Sequence, residues 1–204
     1  MMLDDDFIFA ERRKDEPSKF IKMTTAEQWD TMMDRAERMM DFVAWGGISS
    51  RGGANRVVSP YRFISRINGA MLLNLDLTDP SFRFDKTTLM EDFSMGLQHL
   101  TRGYPTMLLN MFTYDDSHGP NADGGCSSYR DAALQLEAVM ELQEMFPDFV
   151  SIVSRPGWKG MGPTRPDVRI QWAKAYQYGQ EVRSMIGQPN ESYPKFDLEG
   201  NLYS

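Results

Sequence analysis

Thr106-Met107-Leu108-Leu109-Asn110-Met111-Phe112 is a short apolar run, followed by the polar, Gly-rich stretch Asp115-Asp116-Ser117-His118-Gly119-Pro120-Asn121-Ala122-Asp123-Gly124-Gly125-Cys126. A segment opening at Ser127 or Ser128 then runs to Pro147 and gives way to Phe149-Val150-Ser151-Ile152-Val153. The apolar runs have strand length, the hydroxyls suit a helix N-cap, and proline is a helix stop. The order predicts a βαβ unit, with strands near 106–112 and 149–153 joined by a helix over 128–146. In open α/β sheets ligands sit beyond the carboxyl ends of strands, so the reading also places a site in the 113–130 loop.

Working outward, Thr24-Thr25-Ala26-Glu27 has the spacing of a capping box and predicts a helix start at Thr24 or Thr25. Trp29, Met32, Met33, Ala36, Met40 and Val43 share one face of that helix, and Gly46-Gly47 is read as its end. Gly46 to Pro60 reads as a loop and Tyr61 to Gly69 as a short helix, with a buried strand over 70–75. Thr88-Leu89-Met90-Glu91 marks another helix start, and Arg102-Gly103 its close. In the 128–146 helix, Ala132, Ala133, Leu136, Val139 and Met140 are the expected core face. Val168 to Trp172 alternates like a strand, and a last helix covers Lys174 to Ile186 before Gly187 and Pro189.

The expected fold is a single α/β domain over 23–187 with a mixed or mostly parallel sheet and flanking helices. Extended arms are expected at 1–22 and 188–204. The arms are polar with sparse aromatic anchors: Phe7, Phe9, Tyr193, Phe196 and Tyr203. Such segments bury too little apolar surface alone to offset an ordering cost of about 1–2 kcal/mol per residue. The expectation is that they dock on other protein subunits, which makes the chain a structural or interaction subunit of a larger assembly, a viral one among the options.

Composition narrows the classes. The 204 residues are 41% apolar, enough for a core. No apolar run approaches the roughly 18 residues of a membrane span. One cysteine excludes an internal disulfide and fits a reducing, cytoplasmic setting. A net charge of −7 argues against extensive nucleic-acid binding. The charge is uneven, however. Residues 42–75 contain no acid and carry Arg51, Arg56, Arg62 and Arg66, and residues 149–166 contain no acid and carry Arg155, Lys159 and Arg165.

These patterns support a second reading: an enzyme or binding protein for a phosphorylated small molecule, nucleotide or nucleic-acid end. Gly124 and Gly125 allow close backbone approach, while Ser127, Ser128 and Arg130 at a helix start add donors for an anion. Arg51, Arg56, Arg155 and Lys159 are candidate clamps for the same phosphate-bearing ligand. Asp115, Asp116 and His118 are candidate acid–base groups, and Cys126 at a helix start is a candidate nucleophile. Asp115, Asp116, His118, Asn121 and Asp123 include oxygen donors suited to a hard cation, although Asx-turns explain the same residues. No Walker lysine, G-x-G-x-x-G, G-x-S-x-G or zinc-ligand spacing names a cofactor or a family.

Overall fold

The fold is known from a computed structural model, which describes residues 1–3, 7–55, 57, 59–116, 131–157 and 162–189. The expected class is present: a mixed α/β fold whose main sheet has six strands. Its strands are β1 (Phe7–Arg12), β2 (Phe20–Lys22), β3 (Trp45–Ser50), β4 (Tyr61–Phe63), β5 (Met71–Leu73) and β6 (Thr106–Asp116). They run in the order β2-β1-β6-β3-β5, with β4 also on β6. β3 and β6 are parallel, while β1 and β4 both pair antiparallel with β6.

β1 and β4 share one edge of β6, end to end. β4 covers Met107 to Leu109 and β1 covers Phe112 to Asp116. Asn110 sits at the junction. On the opposite edge the pairing with β3 slips, from Ile48 opposite Leu109 to Ser49 opposite Thr113.

The N-terminal segment, expected as an extended arm, thus contributes β1 and β2 to the sheet of its own chain. Phe9 and Ala10 are buried, and Phe9 meets Trp29 edge-on at 5.0 Å. Strand pairing within the chain satisfies the backbone that an isolated arm would leave to water. Of the C-terminal arm, residues 190–204 lie outside the described residues.

Helix α1 (Ala26–Met40) covers one face of the sheet. Its cap is Thr25, whose hydroxyl accepts from Gln28 N while the Gln28 amide oxygen accepts from Thr25 N. The capping partner is therefore Gln28, one residue beyond the expected Glu27. Met32, Ala36, Met39 and Met40 pack on Ile48, Leu72, Met107 and Leu109. The helix ends at Met40, and Gly46-Gly47 is inside β3. The reason is close packing on both faces. A Cβ on Gly46 would come 2.8 Å from Met39 Cε, and one on Gly47 would come 2.6 Å from the Ala70 carbonyl oxygen. The segment read as a loop begins as this strand and continues as one turn, α2 (Arg51–Ala54). Tyr61 to Phe63 is strand, not helix, because β6 offers it an open edge.

On the other face Trp45, Ile67, Met95 and Leu108 form a small core under α3 (Glu91–Leu100). α3 is buried along most of its length. Its outer side packs against a further layer: α4 (Ala132–Met145), the hairpin β7 (Val150–Pro156) and β8 (Thr164–Ile170), and α5 (Trp172–Met185). Thr88, expected to cap α3, instead donates its N–H and hydroxyl to the Glu141 carboxylate on α4. Met90 starts α3 with φ +64°. Gly179 of α5 lies so close to the end of α3 that a Cβ would be 2.1 Å from the Leu100 carbonyl oxygen.

The expected βαβ unit over 106–153 is not formed. β7 pairs with β8 along its whole length in a separate two-stranded sheet. α4 packs on that hairpin and does not return the chain to β6. The parallel partner of β6 is β3, and the connection between them passes through α3. The α4 face also differs: Gln135, Ala138, Val139 and Leu142 are buried, while Leu136 and Met140 are exposed. Gln135 turns inward because its amide donates to the Pro166 carbonyl on β8. The α4 cap is Asp131, which accepts from Leu134 N, and not Ser127 or Ser128. Among the described residues no helix is long and apolar enough to cross a membrane.

Candidate functional site

The carboxyl ends of β3 and β6 lie side by side, because the two strands are parallel and Ser50 stands opposite Tyr114. β3 delivers Ser49, Ser50 and then Arg51 to this edge. β6 delivers Asp115 and Asp116, with Asp116 opposite Phe7 at the start of β1. This is the part of an α/β sheet where ligands collect.

Arg51 Nη1 donates to Asp115 Oδ2 at 2.9 Å. The side chains are 42% and 43% exposed, so the pair is half in water. An ion pair of this kind contributes about 0–1 kcal/mol to stability. Its members therefore remain available to a ligand at low cost to the fold. Below them Tyr114 is fixed from two directions. Phe7 stacks on its ring at 4.3 Å, and its hydroxyl donates to the Asn68 carbonyl at 2.9 Å. Two buried side-chain atoms behind the edge, Asn110 Oδ1 and Thr113 Oγ1, have no hydrogen-bond partner among the described residues.

The sequence-nominated residues divide cleanly. Arg51 and Asp115 are brought together across 64 positions of chain. Asp116 closes β6 at the same edge, and its side chain lies outside the description. Arg56, His118, Gly124, Gly125, Cys126, Ser127, Ser128, Arg130 and Lys159 lie outside the described residues. Arg155 is exposed on β7 opposite Arg165, in the second sheet. Arg51 and Arg155 thus stand on different sheets, because β7 does not join the main one. Among the described residues no group of three or more His, Cys, Asp or Glu is arranged for a metal ion. A cavity of about 230 Å³ is lined by Phe82, Lys86, Gln98, Thr101, Arg102, Met145 and Phe146, none of them nominated from sequence.

Sequence reasoning missed Arg12 and Asn110, which support this edge from beneath. Arg12 fell inside the segment read as an extended arm over 1–22. Phe7-Ile8-Phe9 reads as strand-like, and the strand it begins continues to Arg12.

The family model for TET-associated glycosyltransferases matches residues 1–125. The chain belongs to this family. No curated protein and no solved structure matches it significantly. The matched residues of this TET-associated glycosyltransferase homologue hold all six strands of the main sheet, with Arg51, Asp115 and Asp116 at its edge. The family overturns the expectation of a structural or interaction subunit: the chain is related to enzymes that move sugars.

Proposed function

We propose that the chain is a glycosyltransferase and that the carboxyl ends of β3 and β6 hold the leaving phosphate of an activated sugar donor. The observation that carries this is the Arg51–Asp115 pair, at the parallel strand ends, inside the residues matched by the glycosyltransferase model.

Glycosyl transfer needs three things of such an edge. An acceptor oxygen attacks the anomeric carbon. The bond from that carbon to the phosphate oxygen breaks, and the electron pair leaves with the phosphate. The proton of the acceptor passes to a base. Arg51 supplies a cation to the phosphate as charge develops, which is where preorganised charge lowers a barrier. Asp115 holds Arg51 in place before the donor arrives and supplies a carboxylate at the same edge for the acceptor proton. Asp116 adds a second acidic residue at the strand end. Hard cations commonly bridge one or two carboxylates to substrate phosphates, so a divalent ion at these aspartates is compatible with the reading.

The test is release of nucleoside diphosphate from a panel of nucleotide sugars, with and without Mg²⁺ or Mn²⁺. Arg51→Ala should lower turnover by about 100-fold, with little change in melting temperature because the pair is half-exposed. A wild-type protein that consumes no donor in the panel, or an Arg51→Ala variant as active as wild type, overturns the proposal.

A further inference from the structure

We infer that Arg12 is a positioning residue for this edge: its guanidinium holds the α2 segment so that Arg51, the first residue of α2, stays beside Asp115. The inference rests on the donor reading just proposed and adds a residue that touches neither donor nor Asp115.

The need for such a residue follows from the sheet. β1 and β4 end against each other on β6, leaving the backbone of Asn110 between two strands. Asn110 N donates to the Pro60 carbonyl at 2.7 Å. The Asn110 carbonyl is taken by Arg12, from Nε at 3.2 Å and Nη2 at 3.0 Å. The same Nη2 reaches the Ala54 carbonyl at 3.1 Å and the Val57 carbonyl at 2.7 Å, and Nη1 donates to the Pro17 carbonyl. The guanidinium lies over the Phe20 ring, 4.5 Å from its centre. One side chain thus joins β1, β6 and the end of α2.

Besides the burial of Ala54, α2 has few hydrogen bonds among the described residues to hold it. It is a single turn, with Asn55 N bonded to the Arg51 carbonyl and Val57 N to the Ala54 carbonyl. Its Ser50 cap makes no side-chain hydrogen bond. A turn this short does not sustain itself. The Arg12 cation meets its carboxyl-terminal carbonyls, the negative end of the turn. Arg51 is at the other end of the same turn, so a shift of Ala54 carries Arg51 with it. Arginine is required because its planar fork serves several carbonyls at once, whereas a lysine ammonium is a point donor on a flexible stem.

Two measurements test this on the full chain. The first is amide hydrogen exchange of wild type and Arg12→Lys, without ligand. Loss of protection at Asn55 and Val57, with β6 amides still protected, is the expected result. Unchanged protection at those two amides overturns the inference, and so does equal loss throughout the sheet, which marks a general structural role. The second is binding of UDP, GDP and ADP, tested separately, to wild type, Arg12→Lys, Arg51→Lys and the double variant. Arg12→Lys should weaken the bound diphosphate about tenfold. The double variant should be no weaker than Arg51→Lys alone, because Arg12 acts through Arg51. Additive losses overturn the inference while leaving the donor reading intact. A wild type that binds none of the three, or an Arg51→Lys variant that binds as wild type does, sinks the donor reading and this inference with it.

Discussion

His99 shows how one residue can set the acid sensitivity of the whole chain. It is fully buried, with Phe82 4.6 Å and Trp45 5.9 Å from its ring, and its Nδ1 lies 2.8 Å from the Met95 carbonyl. Burial pushes its pKa down to about 4, and the Met95 carbonyl and Asp79 oppose the shift only in part. The folded state therefore keeps His99 neutral while an unfolded chain, with a pKa near 6.5, takes up a proton. The stability contributed by this neutral ring is fully present above about pH 6.5 and is lost as pH falls toward 4, by about 3 kcal/mol. Urea unfolding of wild type and His99→Phe at several pH values checks it. The stability difference between them, wild type minus variant, should decline by about that amount from pH 7 to pH 4. A constant difference would mean the ring is not held neutral. Nothing in the sequence announced this environment, because the aromatic neighbours come from residues 45 and 82.

At the scale of single elements, α4 separates what a pattern can and cannot show. The end of the helix was legible from the proline after Phe146, but its start was not, since Asp131 and not Ser127 or Ser128 caps it. Nor was its inward face. Several faces of α4 carry apolar residues, and the choice was made by Gln135, whose amide found the Pro166 carbonyl. Leu142→Ala should therefore cost about 2–5 kcal/mol, and Leu136→Ala, at a side chain 45% exposed, well under about 1 kcal/mol. Equal shifts in denaturant midpoint would show the face is wrongly assigned. The same limit applied at β7: an apolar run specifies a strand, but not which edge it joins. The parallel pair β3–β6 escaped notice because Gly46-Gly47 reads as a helix terminator unless the neighbours that exclude a side chain are known. At the candidate site, Arg51 and Asp115 were legible as residue types near Gly-rich segments. Arg12 was not, since its ligands are carbonyls, which every residue possesses.

For the whole molecule, the family-matched part and the remainder are physically inseparable. α3 belongs to the first and is covered by α4, the β7–β8 hairpin and α5 from the second. Leu97 and Leu100, both fully buried, face that cover. Gly179 against Leu100, and the Glu141 carboxylate on Thr88, fix the two layers together. A fragment ending at residue 125 should be insoluble or bind a hydrophobic dye strongly, because it exposes the outer side of α3. A fragment that is soluble, monomeric and cooperatively folded would show the outer layer to be dispensable.

The strand β1 has a consequence in time as well as in space. Its partner on β6 is about a hundred residues away in the chain, with Phe7 opposite Asp116. At roughly 5–20 residues per second, a ribosome would need some 5–20 s to make β6 after β1 has been synthesised. During that interval the edge of β1 that carries Phe7, Ile8 and Phe9 lacks its β6 partner, and only the local strand β2 is available to pair with it. Among the strands of the main sheet, β1 is made before the others and is among the last to be fully paired. Its safe passage during synthesis depends on whatever shields it until residue 116 emerges.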